Sequence, residues 1–252
     1  MIVETEDELE ALKDIGRICA KAVQTMADAL EPGITTRELD GIGRKFLTDH
    51  GAQSAPEVTY QFPGATCISV NEEVAHGIPG DRVIGAGDLV NIDVSAEKNG
   101  FFSDTGSSFA VPPVSSKVKR LCRDGKRAMW TGINQVKPGA SFGEIGNAIG
   151  AFAKKNRYSL IKNLASHGVG RSLHDEPSEL STWPDKSERR RIAEGQVFTI
   201  EPFLSLGGEW ADEAEDQEWI LYSVPRALTV QYEHTLVATR SGPLILTLGD
   251  GD

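Results

Sequence analysis

Asp93 and Asp104 flank Asn99-Gly100 in the stretch Asn91-Ile92-Asp93-Val94-Ser95-Ala96-Glu97-Lys98-Asn99-Gly100-Phe101-Phe102-Ser103-Asp104. Asn-Gly is the strongest short hairpin signal, because a type I′ turn needs positive φ at both central residues. With these two in the turn, Lys98 faces Phe101 and Ser95 faces Asp104. Asp93 then shares a face with Asp104 as its diagonal neighbour, and such neighbours lie about 7–8 Å apart. Aspartate is depleted in strands, and an unpaired buried charge is costly. Two readings are open at this point: a pair of solvated strand aspartates, or two carboxylates closing on a divalent cation.

The elements that must carry these acids occur twice. Thr5 and Glu8 form a capping box, and Leu9, Leu12, Ile15, Cys19, Val23, Met26 and Leu30 follow at helical spacing. Glu31-Pro32-Gly33 stops that helix. Thr35 and Glu38 cap a second, with Leu39, Ile42, Phe46 and Leu47 on its apolar face, and His50-Gly51 ends it. Residues 58–70 read as extended. In the second half a helix is predicted over 116–136, Lys137-Pro138-Gly139 stops it, and Ser141 with Glu144 caps the next. Gly195-Gln196-Val197-Phe198-Thr199-Ile200-Glu201 then mirrors Gly87-Asp88-Leu89-Val90-Asn91-Ile92-Asp93. Pro138 lies 106 residues after Pro32, and Glu201 lies 108 after Asp93.

Near-constant offsets imply two similar halves, at about 5–111 and 115–240 of one catalytic domain spanning 1–252. The expected fold is α/β (α+β), with helices outside a curved, largely antiparallel sheet and the site between the halves. Glu201 then faces the groove of Asp93, and Glu233, in Val230-Gln231-Tyr232-Glu233-His234-Thr235-Leu236, takes the place of Asp104. Four acids cannot all stay ionised in a dry groove unless cations neutralise them, and two divalent ions balance four carboxylates. Of five histidines, His76, His167 and His174 sit in stretches punctuated by glycine or proline. An imidazole suits Mn, Fe, Co or Zn, and equally makes structural hydrogen bonds. His50 reads as a helix-end residue. His234, next to Glu233, should point to the opposite face as a supporting residue.

The bulk composition narrows the class. The 252 residues are 25 % charged and 39 % hydrophobic, with a net charge of -11. That balance argues against nucleic-acid binding through a basic surface. The basic run at 188–191 reads as a solvated loop or helix end. Cys19, Cys67 and Cys122 have no paired spacing, which predicts a reduced, cytoplasmic setting. The acidic start shows no secretory leader, and no apolar run reaches the roughly 20 residues of a membrane span. The acidic stretch 209–217 is expected as a surface loop, and the tail 249–252 as frayed.

Over nearly its whole length the chain resembles type I methionine aminopeptidases, of the pita-bread metallopeptidase fold. The resemblance rests on Asn91-Ile92-Asp93 to Asp104-Thr105, Ser166-His167-Gly168-Val169-Gly170-Arg171, Thr199-Ile200-Glu201-Pro202 and Gln231-Tyr232-Glu233-His234-Thr235. The helical insertion of the longer type II members has no room here. The resemblance implies a dinuclear site for two divalent ions (Co, Mn, Fe or Zn). Asp93 would bind one metal, Asp104 and Glu233 would bridge, and His167 and Glu201 would complete the other. A hydroxide shared by the metals would attack the scissile carbonyl, and Glu201 would shuttle its proton to the leaving amine. His76 and His174 would hydrogen-bond the peptide group and the developing oxyanion. By position, Phe62, Cys67, His76 and Trp219, with His174, would bind the substrate in a slot for an unbranched thioether.

The implied substrate is the N-terminal methionine of nascent polypeptides with a small second residue, and the implied setting is a monomer working at the ribosome, with neither membrane nor direct nucleic-acid contact. Several positions depart from the usual pattern. Leu173 stands where many members have an aromatic, Ser166 replaces a common glycine, and Glu73 follows Asn71 where an apolar residue is frequent. Relatives hold a monovalent cation on carbonyls of that loop, and Thr229 would be a further contributor. Two other readings compete: an Xaa-Pro-type dipeptidase of the same fold, which usually carries a further N-terminal domain, and a non-catalytic pita-bread binding module, which typically loses ligands that are all present here.

Overall fold

The Thr5 hydroxyl accepts the Glu8 N–H (3.2 Å) while the Glu8 carboxylate accepts the Thr5 N–H (3.3 Å), and α1 (Glu6–Asp28) starts there. The same reciprocal box at Thr35 and Glu38 opens α2 (Thr36–Asp49). His50 closes α2 as expected, its Nδ1 donating to the Phe46 carbonyl at 2.8 Å. The computed structural model describes residues 1–214 and 217–249, so the fraying expected beyond Gly249 lies outside the described residues. So do Glu215 and Asp216 of the acidic stretch.

The segment expected as extended over 58–70 is instead partly helical. After β1 (Gln53–Ser54) comes α3 (Ala55–Tyr60), and only β2 (Cys67–Val70) is strand. The Ser54 hydroxyl accepts the Glu57 N–H, Pro56 occupies the first turn, and Gln61 ends the helix at φ 59°. An N-cap and an N-terminal proline thus outweigh the strand preference of Val58-Thr59. Next come β3 (Glu73–Ala75), β4 (Leu89–Lys98) and β5 (Phe101–Ala110). β4 and β5 pair from Leu89↔Ala110 to Lys98↔Phe101, with Asn99 at φ 55° and Gly100 at φ 80° in the turn. Ser95 faces Asp104, and Gly106 faces Asp93.

The second half repeats the plan. Ser115 caps α4 (Ser116–Ile133), which ends one turn earlier than its apolar spacing suggests, and Ser141 with Glu144 caps α5 (Phe142–Asn156). The strands are β6 (Ser159–Leu160), β7 (Ser166–Gly168), β8 (Asp175–Leu180), β9 (Val197–Ile200) and β10 (Phe203–Ser205). They continue with β11 (Trp210–Ala214), β12 (Gln217–Val224), β13 (Thr229–Gln231), β14 (His234–Thr239) and β15 (Gly242–Ile245). Within the acidic stretch 209–217, Trp210–Ala214 and Gln217 are therefore strand rather than loop. β11 pairs with β12 from Trp210↔Val224 onward, Ala211 is buried, and the acids Asp212 and Glu213 stay exposed.

Every strand pairing among the described residues is antiparallel, in four ladders. One joins β1, β2 and β5 to β4; another runs β15-β14-β9-β7-β8; the smaller two are β13-β10-β6 and β11-β12-β3. α1 and α2 pack Leu12, Ile15, Met26 and Leu39 against Ile68, Val90, Ile92 and Val94. A second core sets Leu121, Met129, Ile133 and Ile149 of α4 and α5 against Phe198, Ile200 and Leu236. The seam between these layers is polar. The Glu233 N–H donates to the Gly106 carbonyl (2.9 Å), the Thr105 hydroxyl to the Glu233 carbonyl (2.7 Å), and the Thr235 hydroxyl to the Asp104 carbonyl (2.7 Å).

Candidate metal centre

The two central ladders deliver the acids to that seam. Asp93 and Asp104 come from β4 and β5, as the hairpin register requires. Glu201 follows β9 directly, and Glu233 stands between β13 and β14, so both lie at strand ends rather than within regular strands. His167 is the middle residue of β7. His234 does turn away from Glu233, toward Thr247 (Nδ1 to Oγ1, 2.9 Å) and the Trp130 ring.

Ligand atoms of Asp104, His167 and Glu233 all lie within 4.8 Å of one another, and all three residues are buried. His167 Nδ1 is 2.9 Å from the Gly168 carbonyl, which can only accept, so the ring proton is on Nδ1. Its bare Nε2 therefore faces Asp104 Oδ2 at 3.7 Å and Glu201 Oε1 at 3.5 Å. Burial, then the neighbouring His174, pushes the His167 pKa down to about 3, so the imidazole itself is neutral near neutrality. Asp104 Oδ1 and Glu233 Oε1 are buried with no hydrogen-bond partner. Lone pairs from an imidazole and from carboxylate oxygens thus converge on one place. That donor set fits a cation and fits little else.

The electrostatics carry the same mark. Burial first, then the charges of their neighbours, lifts Asp93, Glu201 and Glu233 well above the usual carboxylate range. Burial alone lifts Asp104 to about 6. A protein side chain does separate the acids at one point. The Gln231 amide donates to Glu233 Oε2 (2.9 Å) and more weakly to Asp93 Oδ2 (3.4 Å), while its oxygen accepts from Asn91 Nδ2 (2.9 Å). On the other side, hydroxyls replace ladder bonds. Ser166 Oγ accepts the Glu201 N–H (2.9 Å), and Thr199 Oγ1 accepts the His167 N–H (3.2 Å) while donating to Glu201 Oε1 (3.1 Å).

Sequence reasoning assigned no role to Gln231, Asn91 or Thr199. Each lies two residues before an acid: Asn91 before Asp93, Thr199 before Glu201, Gln231 before Glu233. The two-residue period of a strand puts them on the face of that acid, and this was the signal available. Tyr60, whose hydroxyl lies 2.5 Å from His174 Nδ1, was missed because its helix was missed.

A cavity of about 370 Å³ opens onto the cluster. Phe62, Cys67, His76 and Trp219 wall it together, and His174 and Leu173 line it too. Phe62 and Trp219 meet edge to face, 5.4 Å between centroids. Burial, then Asp93, raises the Cys67 thiol well above its ordinary pKa, so it is a neutral wall atom. Burial also lowers His76 and His174, leaving both neutral. His76 adopts φ 55°, and the next residue must be glycine, since a Cβ on Gly77 would lie 2.1 Å from the Ile68 carbonyl oxygen. Glu73, at the start of β3 just before His76, is engaged by the Val70 N–H and by Arg82.

Compared with known proteins, the chain matches the pattern described as Metallopeptidase family M24 over residues 10–240. It is 48 % identical over 248 residues to a methionine aminopeptidase of Staphylococcus epidermidis, covering 98 % of each chain. It is 45 % identical to methionine aminopeptidase 2 of Bacillus subtilis, covering 98 % of this chain and 99 % of that one. The crystal structure of methionine aminopeptidase from Rickettsia prowazekii superposes with a TM-score of 0.93 at 35 % identity, covering 98 % of this chain and 100 % of that chain.

Proposed function

Because the chain belongs to metallopeptidase family M24, we propose that it removes N-terminal methionine from nascent proteins and peptides with a small second residue. The observation that carries this reading is the clustering of ligand atoms of Asp104, His167 and Glu233 within 4.8 Å of one another beside an apolar-walled cavity, with Asp104 Oδ1 and Glu233 Oε1 buried and without a hydrogen-bond partner. The relatives at 45–48 % identity bear the methionine aminopeptidase name, which favours methionine over an Xaa-Pro substrate. A binding module would have no use for buried carboxylates held at such cost.

Two divalent cations suit the donor set, Mn, Fe, Co or Zn. Asp93 would hold one, His167 and Glu201 the other, and Asp104 and Glu233 both. When bound, such ions polarise the scissile carbonyl and lower the pKa of water. The chain's own groups do the rest. Glu201, oriented by Ser166 and Thr199, takes a proton from the attacking water and returns it to the leaving amine. His76 and His174 donate to the substrate's peptide group and to the carbonyl oxygen as charge grows on it. Phe62, Trp219 and the neutral Cys67 enclose the methionine thioether. The free α-amine lies toward Asp93, which restricts cleavage to the first residue.

The same reading makes the chain a single catalytic domain with related halves at 5–111 and 115–240, acting as a cytoplasmic monomer on chains emerging from the ribosome. It also includes a monovalent cation on carbonyls of the loop after Asn71 and of Thr229. Among the described residues no helix is long and apolar enough to cross a membrane. The test is turnover of Met-Ala, Leu-Ala and Ala-Pro peptides by chelated protein resupplied with single metals. Metal-dependent cleavage of Met-Ala alone is expected; preference for Ala-Pro would overturn the reading.

A further inference from the structure

We propose that Tyr60 is a positioning residue that fixes the tautomer of His174. Tyr60 is the last residue of α3 and lines the cavity beside His174. Its hydroxyl lies 2.5 Å from His174 Nδ1, with the rings 5.6 Å apart and tilted by 50°. On its other side the His174 ring packs 4.2 Å from the His167 ring. A neutral imidazole carries one proton, and which nitrogen holds it is set by the bond at the other. A phenol donating to Nδ1 leaves the proton on Nε2. The reverse arrangement would leave a bare Nε2, a ligand's lone pair rather than a donor. Burial and the Asp104 charge raise the Tyr60 pKa and keep it a phenol, able to donate. Ser172 does not compete for the ring, because its hydroxyl is given to the His174 carbonyl (2.9 Å).

The assignment deepens the proposed function, since it rests on His174 acting as a donor to the substrate's peptide oxygen. Tyr60 itself need not touch substrate. It is 41 % exposed, so Tyr60→Phe removes one hydroxyl and leaves the packing of α3 in place.

The test has two arms. In the metal-free full chain labelled with 15N-histidine, long-range proton–nitrogen spectra report the tautomer directly, with His174→Gln assigning the signal. The wild type should show His174 protonated on Nε2, and Tyr60→Phe should mix the tautomers. In the metal-loaded enzyme, Tyr60→Phe should lower kcat on a Met-Ala-Ser peptide about 10-fold, the scale of one lost hydrogen bond. KM and metal content should not change, and in a His174→Ala background the substitution should have no further effect. An Nδ1-protonated His174 in the wild type would overturn the assignment, as would an unchanged His174 signal in Tyr60→Phe. A full 10-fold loss persisting without His174 would do the same. Absence of Met-peptide cleavage by the wild type would instead sink the functional reading, while the spectra still decide the role of Tyr60.

Discussion

Asp104 and Glu233 each hold an oxygen that nothing in the fold satisfies, and that is where single substitutions should speak most clearly. Asp104→Asn or Glu233→Gln exchanges a charged acceptor for a half-donor amide. Either should reduce bound metal in elemental analysis and take Met-peptide cleavage below detection. The same change relieves like-charge repulsion, since Asp104 raises the pKa of Asp93, Glu201 and Glu233. Asp104→Asn should therefore melt at a higher temperature than the wild type when both are metal-free. A residue conserving only the fold would show the opposite sign. His76 makes a contrasting case, because it lines the cavity but stands outside the three-residue ligand cluster. His76→Ala should lower kcat by about 10²–10³-fold, the usual cost of one oxyanion donor, with metal content intact. Loss of metal in that variant would make His76 a ligand instead.

Gly106 shows how an element holds the site. It faces Asp93 across β4 and β5, and a Cβ there would lie 2.2 Å from Gln231 Oε1. Gln231 is buried and pinned by Asn91, so it has little room to retreat, and its amide is the group that spaces Asp93 from Glu233. Gly106→Ala should cost about 1–3 kcal/mol of stability, typical of overpacking, and weaken metal binding beyond that loss; denaturant melts beside metal titrations would separate the two. Unchanged metal affinity in a destabilised variant would remove Gln231 from the site's support. The hairpin that places Gly106 was legible from Asn99-Gly100 alone, because only a primed turn uses two positive φ angles in sequence. The helices were legible at their starts, where Thr5, Thr35 and Ser141 each find a glutamate three residues on. Legibility failed where a short-range signal was outvoted. Val58-Thr59 masked the Ser54 cap and Pro56, and with α3 went Tyr60. The density of acids at 209–217 masked the alternation that buries Ala211 and exposes Asp212. The four acids among the ligand candidates were readable because acids are out of place in strand-like runs, and His167 because glycine punctuates its stretch. Their partners Asn91, Thr199 and Gln231 were not singled out, because polar amides and hydroxyls in strands pass without notice.

At the scale of the whole molecule, two apolar cores meet along a seam loaded with like charge, in a chain already at -11. That arrangement should make stability depend on pH and metal together. Carboxylates whose pKa is raised by folding keep protons in the native state that the unfolded chain has already lost. By linkage they remove stability as pH rises from their unfolded values, about 4, up to their folded values; the loss from Asp104 is complete by about 6, and that from Asp93, Glu201 and Glu233 continues above it. His76, His167 and His174 act in the opposite sense, since burial lowers their pKa. The unfolded chain binds their protons first, so they add stability as pH rises, but only up to the ordinary histidine value of about 6.5. Above that pH the carboxylates act alone. The metal-free protein should therefore lose melting temperature steadily from about pH 6.5 to pH 8. Divalent cations bind the deprotonated ligands, stabilise only the folded chain, and bind more tightly as pH rises. The gap in Tm between metal-loaded and metal-free protein should widen across the same interval. Self-repulsion of the net charge would also lower Tm with pH, and Asp104→Asn separates the causes: removing one seam charge should flatten the metal-free slope, whereas a diffuse surface effect would leave it nearly unchanged. Parallel melting curves for loaded and free protein over this range would mean that the seam is not where the cations bind.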